Sequence, residues 1–411
     1  MKSHTSCLYS CISLVACAIY AQHALAASST EPWMLGDWDG ERSALVEQGY
    51  DFTFDYTGEM ANILDSKKTT KNGTEFSGQL GLGAHLDLNK ILGWQDTDAQ
   101  ITITYRDGKN LTNTAPALEG QISSVQEVWG REQTWRLTNF WIRKKIHDQA
   151  LDIKIGRFGE AEDFNSFACD FQNLALCGSQ MGNWAGDQWF NWPVSQWAAR
   201  VKYNFTPDFY TQIGVFEYNP ENLERGKGFN LSTDESKGAL IPVEMVWTPS
   251  IGAQHLSGEY RIGYYFSTAD ANELDGHGQA LETTDHKKGG WISGKQKLIS
   301  HRFDSERGLT ASASAVFFDS KTNVISNMQN LAFSYLGAWS TRPKDEIAIG
   351  FARIHKNAEG FSNEYNSELY YGIHLTDWFT LRPNVQYIKN VGAVSNGNNT
   401  WVAGIKFNTT F

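Results

Sequence analysis

Thr400-Trp401-Val402-Ala403-Gly404-Ile405-Lys406-Phe407-Asn408-Thr409-Thr410-Phe411 is the stretch from which the fold is read. In an extended chain successive side chains point to opposite faces. Trp401, Ala403, Ile405, Phe407 and Phe411 then share one face, and Gly404, Lys406, Asn408 and Thr410 share the other. A strand of a soluble sandwich alternates in the same way. Ending on a bare aromatic is instead what the closing strand of a membrane barrel shows, with the ring at the bilayer interface.

The same period of two recurs upstream. Phe52, Phe54 and Tyr56 alternate with Asp51, Thr53, Asp55 and Thr57, and Leu80, Leu82, Ala84 and Leu86 with Gln79, Gly81, Gly83 and His85. Ile101, Ile103 and Tyr105 alternate with Thr102, Thr104 and Arg106, and Ala199, Val201, Tyr203 and Phe205 with Arg200, Lys202 and Asn204. Further runs cover residues 241–247, 256–264, 309–317, 331–335, 347–351, 369–375 and 381–387. The longest approach the roughly ten residues with which a tilted strand crosses a bilayer. Arg106, Arg200, Lys202, Glu244, Glu259, Arg261, Glu368 and Lys406 all lie opposite the aliphatic face, where a barrel would line water.

The chain opens with Lys2, an uncharged run from Leu8 to Tyr20, and Ala24-Leu25-Ala26. This is the form of a secretory signal cleaved after Ala26, so residues 1–26 are assigned to the signal and 27–411 to the mature barrel. Lys2 is the only charged residue removed, which moves the net charge from −11 to −12. No uninterrupted apolar stretch reaches the ~18 residues of a membrane helix, so a membrane protein here must cross with strands. The acidic balance speaks against nucleic acid, which needs a basic footprint. Fifteen Trp, sixteen Tyr, twenty-three Phe and thirty-seven Gly suit many strands with aromatics to spare for interfacial girdles. Glu41 to Gln48, stopped by Gly49, reads as a short helix within residues 40–49 that needs a docking partner. The fold class expected is all-β: a transmembrane antiparallel barrel of about sixteen strands with a short N-terminal helix.

Cys169 and Cys177 remain after export to an oxidising compartment, so a disulfide closing a short loop is expected, worth about 2.5 kcal/mol. They lie in one of two long connections, Phe158 to Trp192 and Asp270 to Gly290. The first is dense in rings and acids, which favours folding into the lumen over exposure to water.

Gly36-Asp37-Trp38 with Arg42, Gly49-Tyr50-Asp51-Phe52 and Tyr56-Thr57-Gly58-Glu59 resemble the opening of the OprB-type carbohydrate-selective porins. Glu368-Leu369-Tyr370-Tyr371, Trp378, Leu381-Arg382-Pro383, Gln386-Tyr387 and Asn390 resemble their ending, and Gly156-Arg157 with Glu162-Asp163-Phe164 adds a patch between. Asp39 and Val391 depart from the family, which often carries Gly and Pro there. The resemblance implies a sixteen-stranded outer-membrane barrel passing glucose-like sugars by diffusion through a constriction. Its partners would be small sugars and outer-membrane lipid; a homo-oligomer is left open, and no cofactor or metal is called for.

A sugar offers hydroxyls in the ring plane and C–H faces above and below. A selective pore therefore wants charged or amide groups for vicinal hydroxyls and aromatic surfaces for the faces, held weakly enough to release. Parity makes Arg106 the first choice, with Arg200 and Glu244 inward by the same argument; a merely solvated charge is an equal alternative for each. Glu162, Asp163, Trp189 and Trp197 are the loop candidates. For the tryptophans a girdle or loop-core role is the commoner one, and for the acids a structural ion pair. Arg157 shares parity with Ile153 and Ile155, which would aim it at lipid, and it enters as a constriction residue on the resemblance. A general or anion-preferring porin fits the inward arginines as a second reading, an outer-membrane enzyme is a third and a soluble periplasmic binding protein a fourth. Catalysis finds no H-E-x-x-H, G-x-S-x-G, phosphate-loop or dinucleotide motif.

Overall fold

The computed structural model describes residues 32–67, 73–302 and 304–411. The expected signal, residues 1–26, lies outside them. The strands in chain order are β1 Tyr50–Ser66, β2 Thr74–Asp87, β3 Thr97–Gly108, β4 Trp135–Ile146, β5 Leu151–Phe158, β6 Gln196–Thr206, β7 Phe209–Tyr218, β8 Gly238–Trp247 and β9 Ser250–Ile251. They continue with β10 Leu256–Leu274, β11 Ala280–Lys297, β12 Gly308–Phe318, β13 Ile325–Leu336, β14 Glu346–Lys356, β15 Asn363–Thr376, β16 Phe379–Lys389 and β17 Thr400–Thr410. The two residues of β9 only extend the turn between β8 and β10, which pair directly from Tyr260↔Trp247 to Ser267↔Leu240. Sixteen long strands therefore run antiparallel, each beside its neighbour in sequence, and β1 pairs with β17 from Asp55↔Thr410 to Ser66↔Thr400 to close the barrel. Closure removes every free sheet edge, as a bilayer requires.

The alternation is realised as an apolar exterior. Ile155, Ile262 and Ile292 are 54%, 57% and 55% exposed, while Lys154 and Ser293, one residue away, are buried inside. Aromatic pairs ring both rims: Tyr105–Trp135 and Tyr387–Trp401 at one, Trp247–Tyr260 and Phe205–Phe209 at the other. Such rings sit where hydrocarbon gives way to headgroups.

The α-helix α1 (Glu41–Gln48) ends at Gly49, whose positive φ of 103° lets its N–H reach Leu45 and Val46 carbonyls. It docks on the rim of tight turns: Arg42 Nη2 donates to Phe52 O at 2.9 Å and Lys90 Nζ to Val46 O at 3.2 Å.

The connection expected over Asp270 to Gly290 is instead mostly strand. β10 and β11 run on together to a turn at residues 275–279, with Asp270↔His286 and Asn272↔Thr284 in register. Its acids and amides hide the alternation because this end of the hairpin has no apolar face to present. Two other connections turn inward, residues 109–134 and 159–195, and they fill part of the lumen. Glu127 N donates to Gln172 O and Leu174 N to Ser124 O, so the two loops are bonded to each other.

Candidate functional site

The loop of residues 159–195 enters the lumen at Gly159, where a Cβ would stand 2.9 Å from the carbonyl oxygens of both Phe190 and Val194. Only glycine lets the two arms of the loop approach so closely. Glu160 follows, fully buried, accepting from Phe190 N at 3.1 Å and from Gln196 Nε2. Rings then pack the loop against the barrel wall: Trp189 meets Tyr265 and Trp291 edge-on at 5.6 and 5.5 Å, and Phe164 meets Phe216 at 5.9 Å. Cys169 and Cys177 are joined by a disulfide across the far bend.

Inward strand residues hold the loop by its main chain. Glu368 accepts from Gln172 N at 2.9 Å and Asn173 N at 2.7 Å. Glu364 does the same for Ile122 N and Ser123 N of the companion loop, at 2.8 and 3.0 Å. Lys406 Nζ donates to Cys169 O at 2.9 Å and Phe171 O at 3.1 Å while pairing with Glu127 at 2.8 Å and Glu59 at 3.4 Å. Buried carboxylates and amines are tolerated when their hydrogen-bonding capacity is met, which these loops do.

The loops divide the lumen. A cavity of about 690 Å³ lies against β1 to β4, lined by Gln79, Arg106, Asn139, Glu162 and Trp192 among others, and one of about 380 Å³ lies against β10 to β15. Arg106 reaches the larger one. Its Nε donates to Gln79 Oε1 at 2.7 Å and its Nη1 to Gly130 O at 3.3 Å. Trp192 Nε1 donates to the same Gln79 Oε1 at 3.0 Å, and its ring is 40% exposed. One amide oxygen thus sets a guanidinium and an indole side by side at the cavity wall.

The remaining candidates have other surroundings. Glu162 lines the cavity, bonded to Asn139 Nδ2 and to Lys154 Nζ at 2.9 Å. Asp163 pairs with Lys154 at 2.5 Å and Arg200 at 3.5 Å, and Arg200 with Asp152 at 2.8 Å. Burial pushes the Asp163 carboxyl up, but Lys154 and Arg200 outweigh it and hold it below its ordinary value. Glu244 accepts from Asn165 N, Gln212 Nε2, Trp291 Nε1 and Arg261 Nη1, all at 2.8 to 3.0 Å, which leaves it as a loop anchor. Trp189 is fully buried between loop and wall.

Arg157 and Trp197 pair across β5 and β6 on the face opposite Lys154, and neither lines either of these two cavities. Arg157 Nη2 donates to Ser195 O at 2.6 Å and its guanidinium lies over the Trp197 ring at 5.9 Å. Trp197 Nε1 in turn bonds Leu231 O of the 219–237 loop at 3.0 Å. That cover keeps an outward arginine 2% exposed and out of lipid. Gln79 and Trp192 carry the cavity wall without having been singled out as site residues. Gln79 stood on the polar face of its run and Trp192 among the loop aromatics, but a bond spanning 113 residues leaves no local signal.

A closed sixteen-stranded barrel with a lipid-facing belt and a lumen narrowed by inward loops is an outer-membrane porin. The family model described as carbohydrate-selective porin, OprB family, matches residues 71–411, and the chain belongs to that family. Porin B of Pseudomonas aeruginosa is 49% identical over 95% of this chain and 94% of its own. A putative porin, QuiX, of Acinetobacter baylyi is 38% identical over 93% and 94%. A high-pH structure of Pseudomonas putida OprB, 49% identical, covers 94% of this chain and all of its own with a TM-score of 0.89. The chain is therefore a sugar-selective channel of the outer membrane.

Proposed function

We propose that glucose and similar small sugars diffuse through the larger lumenal cavity, with Arg106 and Trp192 as the contacting groups. The supporting observation is their shared bond to Gln79 Oε1, at 2.7 and 3.0 Å. An indole face takes the C–H side of a pyranose while a guanidinium bonds vicinal hydroxyls. The cavity, at about 690 Å³, matches the ~300–1,000 Å³ range of small-molecule sites yet stays open, as conduction requires. Glu162, held by the buried Lys154, adds a further polar group to the cavity lining, while Asp163, Arg200 and Glu244 position the loop. Residues 1–26 act as the export signal, and the barrel has no enzymatic role in this reading.

Sugar block of ion current in planar bilayers tests it. Arg106→Ala is expected to raise the glucose concentration needed for half-block about tenfold, the loss of one charge-assisted hydrogen bond. Unchanged block would remove Arg106 from the pathway.

A further inference from the structure

Most lumenal cations of this barrel answer to a carboxylate. Lys154 pairs with Glu162 and Asp163, Arg200 with Asp152, Arg261 with Glu244 and Lys406 with Glu127. Two that line the larger cavity do not. Arg106, 5% exposed, gives its bonds to the Gln79 amide and to Gly130 O, and no carboxylate of the described residues lies within ion-pair distance of it. Arg131 donates to the carbonyl oxygens of Gly182, at 3.1 Å, and Gly186, again with no acidic partner at that range among the described residues. The acids that also line the cavity are already taken, Glu127 by Lys406 and Glu162 by Lys154. Asp187, beside Gly186, is held by Lys287 at 2.7 Å.

A buried guanidinium bonded only to neutral oxygens keeps its full charge in a medium of low dielectric, where it attracts an anion more strongly than it would in water. Neutral hydroxyls exploit only part of that attraction. We infer that the Arg106–Arg131 wall of the larger cavity is a site for carboxylated sugars, such as uronates and aldonates. The carboxylate would lie at the guanidinium groups and the ring or polyol against Trp192 and the amides. The inference rests on the sugar-porin reading above and narrows it: the ligand must carry both the hydroxyls and the charge.

Full-length purified porin in planar bilayers, with glucose, glucuronate and acetate added separately, tests this without any variant. Glucuronate is expected to half-block the ion current at about one tenth of the glucose concentration, one charge-assisted hydrogen bond's worth of preference. Acetate should block no better than glucose. Arg131→Gln should bring glucuronate and glucose to within about twofold of each other. Equal block by glucose and glucuronate in the unmodified porin would overturn the inference and leave the sugar-porin reading intact. Acetate blocking as well as glucuronate would overturn it in favour of plain anion preference. If no sugar, charged or neutral, affects current, both readings fall. The comparison in the unmodified porin decides the matter if Arg131→Gln does not assemble.

Discussion

Glu160 begins the lumenal loop with a carboxyl that no solvent reaches. Burial pushes it up to about 8, against the Phe190 and Gln196 donors and the Arg131 charge, which favour its ionised form. The folded chain therefore holds a proton there at neutral pH that the unfolded chain, near the ordinary 4.5, has already lost. With the folded state binding more protons across that window, stability must fall as pH rises from about 4.5 through about 8. Thermal unfolding in detergent should show this decline, and Glu160→Gln should flatten it; parallel slopes for the two proteins would refute the assignment. Little of this was legible in the sequence. Parity alone turns Arg106 and Lys406 inward, because a strand has only two faces. Whether an inward charge meets solute or structure depends on which loop residue lands on it. Glu244 receives four donors from loop and wall, and Arg106 receives no acid, although the alternation treats them alike.

Strands were legible wherever both faces stayed distinct, as in β1, β2 and β17. The distal halves of β10 and β11 were not, since beyond the bilayer neither face needs to be apolar and Glu282, Asp285 and His286 read as loop. The inward turn of residues 159–195 could be argued from its rings, but that of residues 109–134 could not. That loop is carried by amide and main-chain bonds, such as Gln126 Nε2 to Glu59 O at 2.9 Å, and by a few scattered aliphatics such as Leu111, Leu118 and Val125 packed on Ile63 and Val402 rather than by rings. Pinning also sets what the disulfide can do. The bend it closes is already tied by Lys406 and Glu368, so the bridge constrains a segment whose place is fixed by other bonds. Loop-closure entropy for so short a ring is about 2.5 kcal/mol, spent locally. Replacing Cys169 and Cys177 together by Ser should leave the barrel's melting temperature nearly unchanged while raising the noise of single-channel current. A collapsed barrel, or a current as quiet as before, would contradict this division between loop and wall.

Closure is the property of the whole molecule, and it depends on one seam joining the first strand to the last. The seam is reinforced from outside the sheet. Arg42 on α1 donates through Nη1 to Phe411 O at 2.6 Å and through Nη2 to Phe52 O at 2.9 Å, so one guanidinium spans β1 and the residue following β17. Met34 N adds a bond to Thr410 O at 2.9 Å, and the Trp33 ring covers the guanidinium at 4.2 Å. Elsewhere around the barrel short turns link neighbouring strands at this rim; between β1 and β17 no such turn exists, and α1 takes its place. The short helix is thereby explained: eight residues are too few to hold alone, and they fold because they dock across a junction. Arg42→Ala should remove two charge-assisted bonds at once, lowering the unfolding free energy by about 2–4 kcal/mol. The shift of folded to unfolded mobility on heated gels should occur at a lower temperature, while sugar block, set by residues inside the lumen, should not change. A mutant that melts with the unmodified barrel would show that the seam's own ladder suffices. Altered block at unchanged stability would place α1 in the pathway instead of at the seam.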